Sequence, residues 1–223
     1  MENNEMVDKK GNGIIELVFI LDRSGSMRGM EKDTVGGFNS MIEKQKKEKG
    51  KVYVSTVLFS NTSNVLHDRV DIEKIEPMTM SDYRVYGCTA LLDAIGGAIH
   101  HIGNVHKYAR KEDVPEKTIF LITTDGMENA SREYSSSRVK EMIKRQEKKY
   151  GWEFFFVAAN IDAVETAEHI GFRRERAANY RAESGTGVLY FEMSKNISDY
   201  RRTGMFRDDW KKGIEATVKD EKK

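Results

Sequence analysis

The sequence predicts an α/β chain built on a doubly wound, mainly parallel sheet, with helices on both faces and one short antiparallel edge strand. Three observations predict it. Four strand-length runs, residues 14–21, 52–59, 118–123 and 152–159, are continuous in apolar and β-branched residues, as strands covered on both faces are. Segments with a 3.6-residue apolar repeat alternate with those runs. Glycines that suit a helix stop, Gly50 and Gly151, fall between helical and strand segments.

The elements follow in order. The run 14–21 ends in Asp22-Arg23-Ser24-Gly25-Ser26-Met27. Val35, Phe38, Ile42 and Gln45, with Met41 alongside, form the first helical stripe. After the strand at 52–59 comes a polar turn, Asn61-Thr62-Ser63-Asn64, and then Val65-Leu66-His67. That pattern predicts a hairpin and an antiparallel edge. Leu91, Leu92, Ile95, Ile99 and Ile102 mark a second helix, and Val139, Met142, Ile143 and Gln146 a third. Between them the strand at 118–123 runs into Thr124-Asp125-Gly126. Asp162 and Glu165 form a capping box for a short helix that Gly171 closes. A late strand near 177–182 and a helix over about 188–200, carrying Leu189, Met193, Ile197 and Tyr200, complete a Rossmann-like domain spanning 13–204. Residues 1–12 read as a flexible N-terminal segment. Residues 205–223 read as a charged, loosely held tail with Trp210 its only large anchor.

A chain of 223 residues is long enough to bury one full core. Charged residues make up 33% but nearly cancel, to a formal net charge of +1. That balance gives no overall bias toward nucleic acid or an anionic membrane. The single cysteine, Cys88, allows no internal disulfide and suits a reducing compartment. The polar N-terminus lacks the apolar stretch of a signal peptide, and no apolar run nears the ~20 residues of a membrane span. The expectation is a cytoplasmic protein that engages neither membrane nor nucleic acid.

Ligands of doubly wound sheets bind beyond the carboxyl ends of the strands, and oxygen-bearing residues stand there in this chain. Asp22 ends the first strand and Asp125 ends the strand at 118–123. Thr89, in Gly87-Cys88-Thr89-Ala90-Leu91-Leu92-Asp93, precedes the helix leading into that second strand. Strands flanking such a crossover are often neighbours. Asp22, Ser24, Ser26, Thr89 and Asp125 therefore converge on one rim. Five oxygen donors without Cys or His favour a hard cation, Mg²⁺ or Mn²⁺. By itself Asp-x-Ser-x-Ser is equally a polar turn with an Asp or Ser cap. A strand-terminal Asp also suits a phosphohydrolase nucleophile, but that chemistry needs an acid two residues on, where this chain has Ser24. Neither a phosphate loop nor a Gly-x-Ser-x-Gly elbow is present. A binding role rather than an enzyme is expected.

With Asp22-x-Ser24-x-Ser26, Thr89 and Thr124-Asp125-Gly126 in this order, the sequence resembles the von Willebrand factor type A (VWA) family. It is most similar to the family's small standalone bacterial cytosolic members. Gly36-Gly37-Phe38-Asn39 and Ala158-Ala159-Asn160 extend the likeness over roughly residues 13–203. The resemblance implies a metal-ion-dependent adhesion site (MIDAS). In it Ser24, Ser26 and Thr89 would bind the metal directly, and Asp22 and Asp125 would act through water. It also implies an open coordination position that accepts an Asp or Glu carboxylate from a protein partner. The competing expectations are a metal-dependent phosphohydrolase and a scaffold with an idle metal site.

Other polar residues carry plainer expectations. Cys88 reads as a buried small side chain, and Asp93 as a brace for its own loop. Glu128 and Asn129 read as a solvated turn. Arg23 and Arg28 flank the site, equally suited to an acidic partner or to ordinary exposure. His100, His101 and His106 lie near a helix end without zinc-pair spacing.

Overall fold

Apolar side chains on both faces of successive strands demand a helical layer on each side of the sheet. The computed structural model describes residues 13–219, so the flexible segment expected at 1–12 lies outside the described residues. The strands are β1 (Ile15–Asp22), β2 (Val52–Phe59), β3 (Ser63–Asp71), β4 (Lys117–Thr124), β5 (Glu153–Ala158) and β6 (Ala177–Asn179). They form one sheet in the order β3-β2-β1-β4-β5-β6. Every neighbouring pair is parallel except β2 with β3. The order reverses at β1, which lies between β2 and β4. The crevice for a ligand therefore opens where β1 ends, at Asp22.

The helices are α1 (Glu31–Lys46), α2 (Leu91–Tyr108), α3 (Ser136–Tyr150), α4 (Ala163–Ile170), α5 (Ala182–Thr203) and α6 (Lys212–Lys219). Leu17, Phe19 and Leu21 of β1 point into a core shared with α1, α5 and α6. Val18 and Ile20 point into the opposite core, shared with α2, α3 and α4. This alternation is the two-residue period of a strand. The first two stripes read from the sequence are buried faces, while of the third only Val139 and Ile143 are buried and Met142 and Gln146 are half-buried. Val35, Phe38, Met41, Ile42 and Gln45 are buried on α1, and Leu91, Leu92, Ile95, Ile99 and Ile102 on α2. Gly151 ends α3 and Gly171 ends α4, both with left-handed backbone. The Asp162 carboxylate caps α4, accepting from the Val164 and Glu165 amides at 2.9 Å.

Besides Asp22 at its end, β1 carries a second buried acid. Glu16 is wholly buried on β1. Its two oxygens are taken by Arg69 Nε of β3 at 3.0 Å and His106 Nε2 of α2 at 2.5 Å. A buried carboxylate is tolerable only when paired in this way. The arrangement ties the edge strand to the far end of α2.

Two elements differ from expectation. The last long helix begins at Ala182 rather than near 188, and the strand before it stops at Asn179. Gly185 and Gly187 dilute the helical pattern there. Gly185 is needed for contact, because a Cβ would lie 2.9 Å from Thr217 Oγ1 of α6. Residues 206–218 are also packed down rather than loose. Trp210 is only 2% exposed. Its ring lies 4.8 Å from Phe155 of β5, and its indole N–H donates to the Glu175 carbonyl at 2.7 Å. Phe206, Trp210 and Ile214 recur every four residues within the charged stretch, an apolar spacing that the surrounding charge obscures, and of the three only Ile214 lies in α6. Among the described residues no helix is long and apolar enough to cross a membrane.

Trp210→Ala should therefore cost about 3–5 kcal/mol, the usual price of emptying an aromatic site in a core. Tyr108→Ala, at a side chain 78% exposed, should stay within about 0.5 kcal/mol. Urea unfolding of the two variants checks the contrast.

Candidate functional site

The site is built from the end of β1 outward. Asp22 is fully buried there. The register that pairs Leu21 with Thr123 sets Asp22 level with Thr124, whose hydroxyl donates to Asp22 Oδ2 at 2.6 Å. Asp22 Oδ1 accepts from the Ser24 amide at 2.7 Å. Its carbonyl takes the buried Tyr83 hydroxyl. The chain then turns away between two clasps. The Arg23 amide donates to the Phe59 carbonyl at 2.7 Å, and the Gly25 amide donates to the Gly87 carbonyl at 2.9 Å. Gly87 has φ +77°, and a Cβ there would lie 1.8 Å from Asn61 Oδ1, so this position needs glycine. Asn61 Oδ1 in turn accepts from the Cys88 amide at 2.8 Å.

A short 3-10 turn, Gly25–Met27, brings the serines together. Ser24 Oγ and Ser26 Oγ lie 3.1 Å apart, and the Ser26 hydroxyl donates to Asp125 Oδ1 at 2.5 Å. A Cβ at Gly126 would start 3.3 Å from Ser26 Oγ and 3.4 Å from Thr89 Oγ1. Thr89 thus faces the same small space as Ser26 across a residue that adds no side chain. The five residues singled out in the sequence all stand at this one rim. Asp125 Oδ2 is buried without a hydrogen-bond partner. Burial pushes both carboxyl groups above the ordinary range. The Thr124 hydroxyl and the Ser24 amide pull Asp22 partly back, as Ser26 does Asp125, while the charge of Asp22 raises Asp125 further. Among the described residues no cluster of three or more His, Cys, Asp or Glu is able to hold a metal. This set has only two carboxylates and otherwise rests on hydroxyls.

No protein-family model matches the chain, and no curated protein matches it in sequence. Solved structures do match. The von Willebrand factor type A protein of Catenulispora acidiphila aligns with a TM-score of 0.52 at 11% identity, over 81% of this chain and 42% of that one. Manganese-loaded TRAP of Plasmodium vivax aligns with 0.55 at 14%, over 80% and 73%. The ArnB paralog VWA2 of Sulfolobus acidocaldarius aligns with 0.54 at 16%, over 82% and 44%. The chain has a VWA fold. It spans less than half the length of the Catenulispora and Sulfolobus chains.

In this VWA fold the rim is held by residues that the sequence did not single out as structural. Asn129 grips Thr89 from both sides. Its Oδ1 accepts from the Thr89 amide at 2.9 Å, and its own amide donates to the Thr89 carbonyl at 3.0 Å. Glu128 accepts four hydrogen bonds of 2.7–2.9 Å, from the amides of Leu92, Ala130 and Ser131 and from the Ser131 hydroxyl. The expectation of a solvated turn at 128–129 is therefore corrected. The expectation that Asp93 braces its own loop is also corrected: its carboxylate instead accepts from the amides of Arg132, Glu133 and Tyr134 at 2.8–2.9 Å and holds the segment before α3. Arg23 is turned inward. Its guanidinium lies 5.1 Å over the Tyr86 ring and donates to the Tyr86 hydroxyl at 3.2 Å. Cys88 is exposed, not buried, because the Gly87 turn pins its amide and throws its side chain outward.

Glu128→Ala should lower stability by about 1–3 kcal/mol, since it strands several amides at once. Amide hydrogen exchange should speed up at Leu92, Ala130 and Ser131 ahead of the rest of the fold.

Proposed function

We propose that this chain is a divalent-metal-dependent protein-binding module, not an enzyme. The hydroxyls of Ser24, Ser26 and Thr89 would hold Mg²⁺ or Mn²⁺ directly, with Asp22 and Asp125 acting through water, in the manner of a MIDAS. The carrying observation is the buried, partnerless Asp125 Oδ2, set beside a second buried carboxylate and three hydroxyls. A lone carboxylate oxygen hidden from water is costly, and a nearby cation relieves that cost. It also relieves the mutual burden of Asp22 and Asp125. An all-oxygen donor set suits a hard ion that takes six ligands. When bound, the metal supplies a positive centre that three neutral hydroxyls leave under-compensated. An Asp or Glu of a protein partner is the natural group to complete it, and a charge-assisted bond of that kind anchors an interface. The manganese in the TRAP structure is in keeping with this choice of ion. Hydrolysis is disfavoured because position 24, where that chemistry needs a general acid, is Ser. The single cysteine suits a cytoplasmic setting.

Calorimetric titration of the metal-stripped chain with Mn²⁺ should show one saturable site. Ser24→Ala and Thr89→Ala should each weaken it by about tenfold or more, the scale on which lost metal contacts act, while melting cooperatively. A partner captured from native cytosol in Mg²⁺ should elute with EDTA. Absence of Mn²⁺ and Mg²⁺ binding at millimolar ion would sink the proposal in favour of an idle site.

A further inference from the structure

A groove of about 720 Å³ runs between α2 and α3, away from the metal-site rim. Its size is that of a small-ligand site. Four of its lining residues are cations, Lys107, Arg138, Arg145 and Lys149, and none is a carboxylate. Arg138 pairs with the exposed Glu141 at 3.6 Å. Lys107, Arg145 and Lys149 make no ion pair among the described residues. Lys107 and Lys149 lie over the rings of Tyr108 and Tyr150, at 4.9 and 5.2 Å. In a chain whose charge nearly cancels, such a one-sign groove concentrates field on an anion. Lysine and arginine together suit a phosphate.

The groove is more than a cationic surface. Tyr134, Tyr150 and Trp152 also line it. Trp152 is fixed as part of the floor, stacked on Phe120 at 5.3 Å and edge-on to His106 at 5.4 Å. Gln146, also in the lining, has a side-chain carbonyl oxygen that is buried and has no hydrogen-bond partner. Buried acceptors are nearly always satisfied, so this one asks for an N–H donor. Aromatic walls, an unpaired acceptor and a cationic rim together describe a ligand with a flat ring, an amine and a phosphate. A bare anion would leave the aromatic walls and the Gln146 oxygen unused. An acidic peptide would bring charge without the ring.

We propose that the α2–α3 groove is a nucleotide site. It takes a nucleoside phosphate, with the phosphate on Lys107, Arg145 and Lys149. An amine-bearing base lies among Tyr134, Tyr150 and Trp152 and donates to Gln146 Oε1. The site is separate from the proposed metal site and does not depend on it.

The test uses the full chain in EDTA, titrated with adenosine 5′-monophosphate and followed by calorimetry and tryptophan fluorescence. The expected result is one saturable site, retained in Ser24→Ala and weakened by salt. Arg145→Ala with Lys149→Ala, both at exposed positions, should weaken it by about tenfold or more, the value of one charge-assisted contact. Inosine 5′-monophosphate, which lacks the amine, should bind more weakly than adenosine 5′-monophosphate. No saturation at millimolar nucleotide would overturn the proposal, as would binding unchanged in the double variant. Inorganic phosphate binding equally well would reduce the groove to an anion patch and also overturn it. Tighter binding to an oligo(dA) strand than to the mononucleotide would reassign the groove to nucleic acid.

Discussion

The rim depends on where one carboxylate is held. Asp22 ends the central strand with parallel neighbours on both sides, at a depth where an ionised group is expensive. Three contacts keep it there: the Ser24 amide, the Thr124 hydroxyl, and the Tyr83 hydroxyl on its carbonyl. Each recruits a different segment. The first bends the serine turn back over the strand end. The second fixes β4 and hence Asp125. The third draws in the long connection between β3 and α2. Moving Asp22 by one residue along β1 would turn its side chain into one of the helix-covered cores, and the three segments would lose their meeting point.

Much of this was legible in the sequence because the cause was local. A strand buried on both faces must be continuously apolar, so β1, β2, β4 and β5 announce themselves. Parallel order then carries Asp22 and Asp125 to one edge, and the three short motifs place the hydroxyls. What was not legible depends on residues distant in sequence. Glu128 is a solvated turn residue in any local reading. Three of its four bonds come from the nearby Ala130 and Ser131, but its tie to α2 exists only because the Leu92 amide, 36 positions earlier, arrives beside it. The tail was misread for the opposite reason. Its signal is local, a spacing of four at Phe206, Trp210 and Ile214, but the charge around it resembles a solvated end. The start of the last long helix also depends on distant residues, because the glycine at 185 is explained only by the close approach of Thr217.

Charge shows the same limit. A net charge of +1 describes the molecule from a distance and says nothing of how charges are sorted over its surface. Several carboxylates near this face are engaged within the fold, while Glu141 of α3 stays exposed beside Arg138. Glu16 is locked between Arg69 and His106, Glu147 and Glu153 engage Arg173, and Glu128 and Asp93 collect amides. The lysines and arginines of the α2–α3 groove are left facing outward without acids among its lining residues. Near-neutrality and a one-sign groove are therefore compatible.

Glu128 also resolves a conflict built into the proposed metal site. Thr89 is delivered by the start of α2, and a helix N-terminus carries partial positive charge from its unpaired amides. A cation beside it would be repelled. The residue that begins the cap, Ala90, offers no side-chain acceptor. Glu128 supplies a full negative charge to the Leu92 amide, and Ser131 Oγ takes the Asp93 amide at 3.0 Å. The helix end is thereby satisfied and electrostatically compensated from outside the helix, while the Thr89 hydroxyl stays free for the shared space with Ser26. An uncharged residue at 128 would leave the same fold with a helix end opposed to the cation. This argues that the acid belongs to the site as much as the five oxygens it supports.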